Sequence, residues 1–309
     1  MFPIGNADKN YLVDEHAENK YYDAEYDPDI NDKNDSRALI ADPIKNGSVC
    51  LDVGCGGGCL GQMLSKFKKV KLYGVELDKE AIKYARKKGG YTDLYNFSIT
   101  ERKGKEYDRF VKSGLKFDYI VFADLLEHVV SPDDIILFFS KFLKPNGKFL
   151  VSLPNVAHFD IARGLINRNF NYSHVGLLDN THLRFYTKRS FSQLIEQMNK
   201  IYDLNLSIKI IGKTKIAPGY IDSYPELHKM LDRDNEACVM QFIYEISNDK
   251  KKKKNTKKED VERDVFGEIE KRLERQKILE KEVADLRAST SWKITKPIRK
   301  VSAILKREK

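Results

Sequence analysis

The sequence predicts an α/β fold with a doubly wound, mostly parallel sheet, followed by a C-terminal helical tail. Apolar runs typical of buried strands alternate with helical patterns over about 110 residues from position 48, the pattern of successive strand–helix–strand units. A glycine-rich turn follows the first strand, and a long charged segment follows the last one. Open α/β sheets bind ligands at the carboxyl ends of their strands, so we expect a ligand at this turn.

The first half of the sheet is predicted from three clear strands and one weak strand. Residues 48–58 indicate a buried strand that runs into the glycine turn; further strands are predicted over 70–78 and 117–124, with a weak strand over 96–100. Helices are predicted over 58–67 and 79–88, and Gly89 is expected to end the second. The next helix is expected to begin at the Ser–Pro–Asp sequence of Ser131 and to stop at Gly147.

The second half of the domain contains a long break in the pattern. A strand is predicted over 148–155, a capped helix over 187–199, and two late strands over 204–212 and 237–247, which we expect to pair antiparallel at the sheet edge. Between them, residues 156–186 are rich in His, Asn, Arg and aromatic residues without a clean period. Long irregular stretches in compact domains are usually functional. We therefore interpret 156–186 as an insertion or lid on the side of the site where a second ligand, called the acceptor below, would bind.

The chain is predicted to divide into five parts of different charge. They are an acidic N-terminal lid segment (1–37), a domain that contains the predicted sheet (38–248), a basic linker (249–258), a helix (259–290) and a basic amphipathic segment (291–309). Residues 249–309 carry 21 basic and 12 acidic side chains, an excess equal to the whole chain's formal charge of +9. The body is therefore balanced, which argues against nucleic-acid binding there. The apolar spacing of 259–290 favours a short coiled coil or a docked amphipathic helix.

Composition also limits the location of the protein. No stretch approaches 18 consecutive apolar residues, and the first 20 residues lack the apolar core of a secretory signal. The four cysteines do not form the pattern of a disulfide scaffold, and they fit a reducing compartment. We therefore expect a cytoplasmic protein, peripheral at the inner face of the cell membrane if the basic segment binds anionic lipid.

The glycine-rich turn carries the sharpest motif of the chain. Asp52 is followed by Gly54, Gly56 and Gly58, which let the backbone turn tightly and approach a ligand closely. The spacing differs from the G-x-G-x-x-G loop that binds a dinucleotide, and the Asp52 carboxylate favours a cationic or amine-bearing ligand. Glu76 ends the second strand, where an acid is suited to hold a ribose diol.

This pairing of a loop and an acid resembles the class I S-adenosylmethionine-dependent methyltransferases, which have a Rossmann-like fold. The resemblance implies S-adenosylmethionine as the cofactor. It also implies a set of cofactor-binding residues, namely Asp52, Gly54, Cys55, Gly56, Gly58, Glu76, Leu77, Ser98, Ile99, Ala123, Asp124 and Leu125. The family usually has an acid after its third strand, where this chain has Ser98.

The resemblance extends to a bacterial subgroup associated with surface-polysaccharide biosynthesis through four motifs, FADLLEHVVSPDD, SLPNVAH, GLLDNTHLRFYT and STSWKITKPIR. It covers residues 20–245 and the last motif. It implies O-methylation of a sugar of a surface glycan, or of its nucleotide- or lipid-linked precursor. Two alternatives stay open: a methyltransferase for a quinone or another small molecule, and a non-catalytic assembly factor of a polysaccharide-synthesis complex.

Candidate catalytic residues come from the histidines near the predicted strand ends. Methyl transfer to a hydroxyl requires removal of a proton, and histidine titrates nearest neutral pH. The candidates for a general base are His158, His128 and His182. Each is equally suited to a structural role, His128 by capping or packing its helix and His182 by holding the lid together through Asp179.

Acceptor binding is predicted for Asn155, Asp179, Arg184 and Tyr186. Arg184 offers a bidentate grip on a phosphate or carboxylate of the acceptor, or alternatively pairs with Asp179. No metal site is predicted. Cys55 and Cys59 supply only two soft ligands, and the aspartates at 124, 160 and 179 lack a recognisable ligand spacing.

The expected partners follow from the tail as well as from the site. They are a glycan, nucleotide-sugar or lipid-linked sugar acceptor, a glycosyltransferase, a second copy of the chain through helix 259–290, and the inner membrane face through 291–309. Nucleic acid is not expected.

Overall fold

The computed structural model describes residues 26–216, 225–232, 236–248 and 281. Of the predicted lid segment 1–37, residues 1–25 lie outside this description. The predicted linker 249–258 and basic segment 291–309 also lie outside it, as does the predicted helix 259–290 apart from Lys281.

Within the described residues, a seven-stranded mixed sheet forms the centre of the α/β body. Its strands are β1 (Val49–Val53), β2 (Lys71–Glu76), β3 (Asp93–Asn96), β4 (Phe117–Ala123), β5 (Leu143–Pro154), β6 (Leu206–Lys215) and β7 (Val239–Asn248). They lie in the order β3-β2-β1-β4-β5-β7-β6, with β1 to β5 parallel. Strand β7 runs antiparallel to both β5 and β6. The predicted α/β fold and its antiparallel late strands are confirmed.

Eight helices accompany the sheet in the same part of the chain. They are α1 (Ser36–Ala41), α2 (Cys59–Phe67), α3 (Lys79–Lys88), α4 (Lys105–Lys112), α5 (Pro132–Ser140), α6 (Phe159–Ile166), α7 (Lys188–Tyr202) and α8 (Pro225–Leu231), with one 3-10 turn at Leu126–His128. Local chemistry defines their ends. Asp78 accepts a hydrogen bond from the Glu80 amide at the start of α3, and Thr187 and Ser190 form a capping box at α7. None of these helices combines the length and apolar character that a membrane span requires.

The core lies along the central strands and beneath α4 and α5. Leu51 of β1 and Ile120 of β4 have no exposed surface, as expected for strands covered on both faces. Phe110 is the buried residue of α4, and its ring lies 4.7 Å from that of Phe142 and 5.2 Å from that of Tyr95. These contacts pack α4 against the sheet.

The position of β3 differs from the prediction. The strand is Asp93–Asn96 rather than 96–100, and it pairs with β2 from Tyr73 to Glu76. At its end, the Asn96 side-chain amide donates to the carbonyls of Glu76 and Leu77. Strand β3 ends at Asn96, so Ser98 lies in the turn that follows the strand.

Helix α5 is shorter than predicted, since it ends at Ser140 and not at Gly147. Proline at 145 disfavours helical backbone at Lys144, and β5 already begins at Leu143, which pairs with Phe117. A Cβ at Gly147 would lie 2.8 Å from the Phe117 carbonyl oxygen, so the close approach of these strands requires glycine there.

Four short helices were not predicted, namely α1, α4, α6 and α8. Helix α6 lies inside the insertion 156–186, which is therefore only partly irregular. These helices have six to eight residues, too few for the apolar period to stand out from the flanking polar sequence.

Candidate active site

The glycine loop (residues 54–58) joins β1 to α2 with a left-handed backbone at alternate positions. Gly54, Gly56 and Gly58 have φ of +74°, +50° and +86°. The amides of Gly54 and Cys55 donate to the Val75 carbonyl at 2.8 and 3.1 Å. The loop is therefore held at the carboxyl ends of β1 and β2, where the sequence predicts a ligand.

Two of these glycines are also required by packing against neighbouring elements. A Cβ at Gly54 would lie 2.7 Å from Cδ1 of Leu125, and one at Gly58 would lie 2.8 Å from the Ala85 Cα. Leu125 follows β4, so the loop contacts the strand end at which the acceptor is expected. Cys55 is buried, and burial raises the pKa of its thiol, so it packs as a small apolar residue.

Glu76 lies at the end of β2 and closes onto the glycine loop. Its Oε2 accepts from the Gly56 amide at 2.8 Å, and its Oε1 accepts from the Leu77 and Asp78 amides at 2.7 and 2.9 Å. Three N–H donors hold the carboxylate in one orientation and leave lone pairs for further donors. This arrangement fits the two hydroxyls of a ribose.

The surface beside Glu76 fits a flat ring. Leu77 is 66% exposed, unusual for a leucine that follows a buried strand, and Ile99 is half-buried in the turn after β3. The Ser98 hydroxyl lies 3.0 Å from that of Thr100 and accepts from the Glu101 amide at 3.1 Å. Ser98 thus shapes the turn itself. Together with Glu76 and the glycine loop, these residues fit a nucleoside such as the adenosine part of S-adenosylmethionine.

Asp52 lies beneath the loop and not on its ligand side. It is 2% exposed, and its Oδ2 accepts from the Tyr91 hydroxyl at 2.7 Å. Burial raises the pKa of Asp52 to about 7, while the hydrogen bond from Tyr91 opposes that rise. The expectation of a carboxylate close to the ligand is therefore corrected. Asp52 supports the loop from below.

The Tyr91 ring occupies a slot between the loop, α2 and β2. A Cβ at Gly58, Gly61 or Gly74 would lie 3.3, 2.2 or 3.0 Å from the ring. The slot exists because these three residues have no side chain. No local sequence pattern marks Tyr91, and its hydrogen bond to Asp52 becomes visible only in the packed structure.

Asp124 follows β4 with a left-handed backbone, φ +50°, which is rare for residues other than glycine. Its Oδ1 accepts from the Ser152 hydroxyl and from the Gln241 side-chain amide, both at 2.8 Å. Burial raises the pKa of Asp124, while these two hydrogen bonds lower it. Backbone strain of this kind concentrates at functional sites. Ala123 and Leu125 flank it between β4 and the loop.

His158 is a structural residue and not the base that the sequence analysis proposed. It is 2% exposed and is the N-cap of α6, where its Nδ1 accepts from the Asp160 amide at 3.2 Å. Its Nε2 donates to the Ile216 carbonyl at 3.2 Å, and burial lowers its pKa. Both ring nitrogens are thus used within the fold, so neither can accept an acceptor proton without breaking a bond.

His128 and His182 lie together, with ring centroids 4.8 Å apart and nearly perpendicular planes. His128 Nδ1 is 3.3 Å from the Thr181 carbonyl, which only accepts, so Nδ1 donates there, and no described residue forms a hydrogen bond with Nε2. Burial and the neighbouring His128 lower the pKa of His182, while Asp179 and a hydrogen bond to the Leu177 carbonyl raise it.

Glu127 completes a group that we call the Glu127 cluster (Glu127, His128 and His182). One ligand atom from each residue lies within 4.8 Å of the other two. Glu127 is 1% exposed, and neither carboxylate oxygen has a hydrogen-bond partner within the described residues. Burial raises the pKa of Glu127 well above its ordinary value, and the charge of Asp124 adds to this effect.

The Glu127 cluster is assembled by backbone contacts across the insertion. The Glu127 carbonyl accepts from the amides of Leu183 and Arg184 at 2.8 and 2.9 Å. These bonds fix the insertion to the 3-10 turn after β4. The LLEH sequence marks the turn, but nothing in the sequence indicates that residue 182 returns to it.

The predicted acceptor residues differ in how much of their bonding capacity is already used. Asn155 is 2% exposed; its amide donates to the Val239 carbonyl at 2.9 Å, and its Oδ1 accepts from the Ala157 amide at 3.1 Å. Asn155 is therefore committed to the fold. Tyr186 is 8% exposed, and its buried hydroxyl has no hydrogen-bond partner within the described residues. Burial raises the pKa of Tyr186 to about 12.

Arg184 and Asp179 bond to other groups and not to each other. The Arg184 guanidinium donates to the Val130 carbonyl, with Nε at 3.1 Å. The Asp179 carboxylate accepts from the Thr181 hydroxyl at 2.6 Å and from its amide at 2.8 Å. Arg184 is an exposed residue. The alternative Arg184–Asp179 pair is not formed.

Comparison with known proteins gives a family match over most of this domain. A family model described as "Methyltransferase domain" matches residues 22–199. Curated relatives include the ubiquinone biosynthesis O-methyltransferase of Pasteurella multocida, 34% identical over 115 residues, covering 35% of this chain and 47% of that protein. The enzyme of the same name from Coxiella burnetii is 31% identical over 124 residues, covering 40% of this chain and 46% of that protein. The chain thus spans about half the length of these relatives.

Solved structures with a similar arrangement share little sequence with this chain. The plantazolicin methyltransferase BpumL in complex with SAH has a TM-score of 0.47 and 17% identity, covering 69% of this chain and 84% of its own. The YcgJ protein of Bacillus subtilis has a TM-score of 0.46 and 17% identity, covering 69% and 97% of the two chains.

Proposed function

The chain belongs to the S-adenosylmethionine-dependent methyltransferases, and from this premise we propose that it methylates a hydroxyl oxygen on a sugar of a surface glycan, or on its nucleotide- or lipid-linked precursor. The family supports methyl transfer. The choice of a hydroxyl and the choice of a sugar depend on the residues at the acceptor side.

The cofactor side is suited to hold the nucleoside through groups already in place. Bound S-adenosylmethionine supplies an electrophilic methyl group on a positively charged sulfur. Glu76 is oriented by three backbone amides and has lone pairs for the ribose hydroxyls. Leu77 and Ile99 offer apolar surface for a ring, and Asp52 with Tyr91 supports the glycine loop from below.

The single observation that carries hydroxyl methylation is the Glu127 cluster at the end of β4. A hydroxyl must lose its proton during the transfer, and a positioned base contributes roughly 10²–10⁴-fold to such a step. The cluster brings a bare imidazole nitrogen of His128 beside His182 and a buried carboxylate. Such a group binds a hydroxyl oxygen and promotes its deprotonation. A methyltransferase for a soft thiol would have no need of it.

The insertion supports a sugar-bearing acceptor through its exposed aromatic surface. Phe170 and Tyr172 are 42% and 43% exposed, and their rings lie 5.6 Å apart. Phe185 lies 5.9 Å from Phe170 and 6.3 Å from His182, so this surface continues to the Glu127 cluster. Aromatic faces of this kind suit the apolar face of a sugar ring, and the exposed donors of Arg184 suit a phosphate of a nucleotide or lipid diphosphate.

A second candidate acceptor is a phenol, such as a quinone precursor. The observation that favours it is that the curated relatives are named ubiquinone biosynthesis O-methyltransferases. The same aromatic surface would stack on a phenol ring. The two candidates differ in acidity, because a phenol releases its proton near pH 10 whereas a sugar hydroxyl is a much weaker acid. A sugar therefore depends more strongly on the Glu127 cluster.

The partners of the enzyme remain proposals of the same kind. A glycosyltransferase partner, a homodimer through 259–290 and contact of 291–309 with the inner membrane face would all place a cytoplasmic catalytic domain beside a growing glycan. A non-catalytic assembly factor is disfavoured, because the glycine loop and Glu76 retain the geometry that a cofactor needs.

The acceptor is tested with full-length protein, methyl-labelled S-adenosylmethionine and three panels: nucleotide sugars, lipid-linked sugars and catechol-type phenols. Mass spectrometry should show a sugar product heavier by one CH₂ group. Products formed only from phenols would support the second candidate. Transfer only to amines or thiols would contradict hydroxyl methylation.

The matched control uses two histidines of the acceptor side. His128→Asn should abolish most product formation, whereas His174→Asn should retain it, because His174 is an exposed residue of the insertion outside the Glu127 cluster. Equal loss in both variants would indicate a general effect on the insertion and would remove support from the cluster.

A further inference from the structure

We infer that the Glu127 cluster is a binding site for one divalent transition-metal ion, held by a carboxylate oxygen of Glu127 and one imidazole nitrogen each of His128 and His182. The role of the ion in methyl transfer rests on the proposed function, whereas metal binding can be measured independently of it. The metal chemistry is that of zinc, manganese or iron(II), which bind mixed imidazole and carboxylate ligands.

The ligand set and its spacing are the first argument. The three ligand atoms lie within 4.8 Å of one another. Ligand bonds of about 2.0–2.2 Å allow two ligands of one ion to be at most about 4.4 Å apart. Around a tetrahedral ion the ligand atoms lie roughly 3.4 Å apart, so the widest pair has to close by about 1.4 Å when the ion binds. His128 and His182 are only half-buried, so their rings have room to turn.

The state of Glu127 is the second, independent argument. A carboxylate that is 1% exposed normally accepts several hydrogen bonds, yet both oxygens of Glu127 lack a partner within the described residues. Burying such a group without compensation is costly. A cation bound between Glu127 and the two histidines would supply such compensation to the oxygen that it contacts.

The groups behind the histidines are the third argument. In protein metal sites, a ligating histidine usually donates its other ring N–H to a carbonyl or carboxylate, which fixes the tautomer. His128 Nδ1 donates to the Thr181 carbonyl at 3.3 Å and lies 3.1 Å from its hydroxyl, which in turn donates to Asp179. His128 therefore keeps its Nε2 available for an ion.

The backbone explains how the site is held together before any ion binds. The Glu127 carbonyl accepts from the amides of Leu183 and Arg184, the residues directly after His182. The 3-10 turn and the insertion are thus joined at the cluster itself. A site with three protein ligands leaves a coordination position for an acceptor oxygen, and a metal ion lowers the pKa of a hydroxyl that it binds.

The test is direct metal binding by untagged, full-length protein after treatment with a chelator. Cobalt(II) is the probe, because its visible absorption reports ligand number and geometry, and calorimetry with zinc(II), manganese(II) and magnesium(II) gives affinity and stoichiometry. We expect one equivalent of cobalt(II) per chain with a low-symmetry visible band, and a preference for zinc or manganese over magnesium.

Variants identify the ligands. Glu127→Gln and His182→Asn should each weaken binding by at least about 100-fold, and Thr181→Ala, which removes a group behind a ligand, by about 10-fold. His174→Asn should bind as the unaltered protein does. Circular dichroism and calorimetry with S-adenosylmethionine show whether each variant is folded and still binds cofactor.

Two results would overturn the metal site. One is less than stoichiometric binding by the unaltered protein, and the other is binding that Glu127→Gln and His182→Asn leave unchanged. Methyl transfer that persists in chelator with no bound metal would retain the proposed function and reject the metal. Stoichiometric metal binding without any hydroxyl methylation would retain the metal site and reject the proposed function. The experiments therefore distinguish failure of the metal site from failure of the proposed function.

Discussion

The glycine-loop side and the acceptor side of this domain satisfy their polar groups in opposite ways. On the loop side, the buried carboxylate of Asp52 accepts from Tyr91, and that of Glu76 accepts from three backbone amides. On the acceptor side, the oxygens of Glu127 and the hydroxyl of Tyr186 are buried without a hydrogen-bond partner within the described residues. The carboxylates of Asp52 and Glu76 are thus satisfied by the chain itself, whereas Glu127 and Tyr186 keep bonding capacity that no described residue uses.

The two regions also differ in what they show to solvent. Six of the ten exposed large apolar side chains among the described residues belong to the insertion, namely Leu165, Ile166, Phe170, Tyr172, Val175 and Leu183. On the loop side, Leu77 is the corresponding residue. Exposed apolar surface concentrated in one segment indicates a binding surface. The loop side therefore holds its polar groups in fixed orientations, whereas the insertion offers exposed apolar surface for contact with another molecule.

The largest expected effect would break the loop side. Gly56 has φ +50°, a conformation that a β-branched residue hardly adopts, so Gly56→Val should displace the amide that bonds Glu76. We expect no measurable binding of S-adenosylmethionine by calorimetry while circular dichroism shows a folded protein. Binding like that of the unaltered protein would show that the loop does not hold the cofactor.

The next effect separates the two regions by stability. Phe110 is fully buried among aromatic rings, so Phe110→Ala should lower the free energy of unfolding by about 3–5 kcal/mol. Phe170 is 42% exposed, so Phe170→Ala should change it by less than about 0.5 kcal/mol. Urea denaturation measures both. In Phe170→Ala the KM for the acceptor should rise with little change in the KM for S-adenosylmethionine; a large loss of stability there would contradict its role in recognition.

A third prediction separates turnover, which we expect to depend on the acceptor side, from cofactor binding, which we expect to depend on the loop side. His128→Ala should lower turnover by roughly 10²-fold or more, because it removes a group that activates the acceptor hydroxyl. The dissociation constant for S-adenosylmethionine should stay within about twofold, because the ribose and loop contacts are untouched. The same changes in turnover are expected for His182→Ala but not for His158→Gln, if the latter folds. Near-normal turnover in both His128→Ala and His182→Ala would place proton removal elsewhere.

The smallest prediction concerns pH and the support beneath the loop. Burial raises the pKa of Asp52 to about 7, so the folded protein binds a proton there more tightly than the unfolded chain does. The contribution of Asp52 to stability is therefore fully present below about pH 4 and is lost as pH rises towards 7. An asparagine at position 52 cannot titrate. The free energy of unfolding of Asp52→Asn, measured relative to that of the unaltered protein, should therefore be higher at pH 7.5 than at pH 5 by on the order of 2 kcal/mol. Urea denaturation at both pH values checks this, and an equal difference at both would contradict a raised pKa.

The sequence by itself determined most of the sheet and the position of the loop. Alternation of buried strands and helices, glycines at alternate positions and Glu76 at the end of β2 are all local patterns. These patterns can be recognised from neighbouring residues alone. Glycine permits a positive φ at any position, and the spacing of apolar residues indicates which segments form buried strands. The short strand β3 and the helices of six to eight residues were misplaced or missed for the same reason, since so few residues establish no period.

Only the tertiary structure decided which polar residues are free to act. His158 looked like a base in sequence, yet packing brings the Ile216 carbonyl to its second nitrogen and commits it to the fold. Asp52 looked like a ligand contact, yet the slot above three glycines admits Tyr91 and covers it. His182 lies 54 positions after His128, and only the hydrogen bonds from the insertion to the Glu127 carbonyl bring them together. Residue type sets what a side chain can do, but its burial and partners depend on contacts between distant segments, which no local pattern encodes.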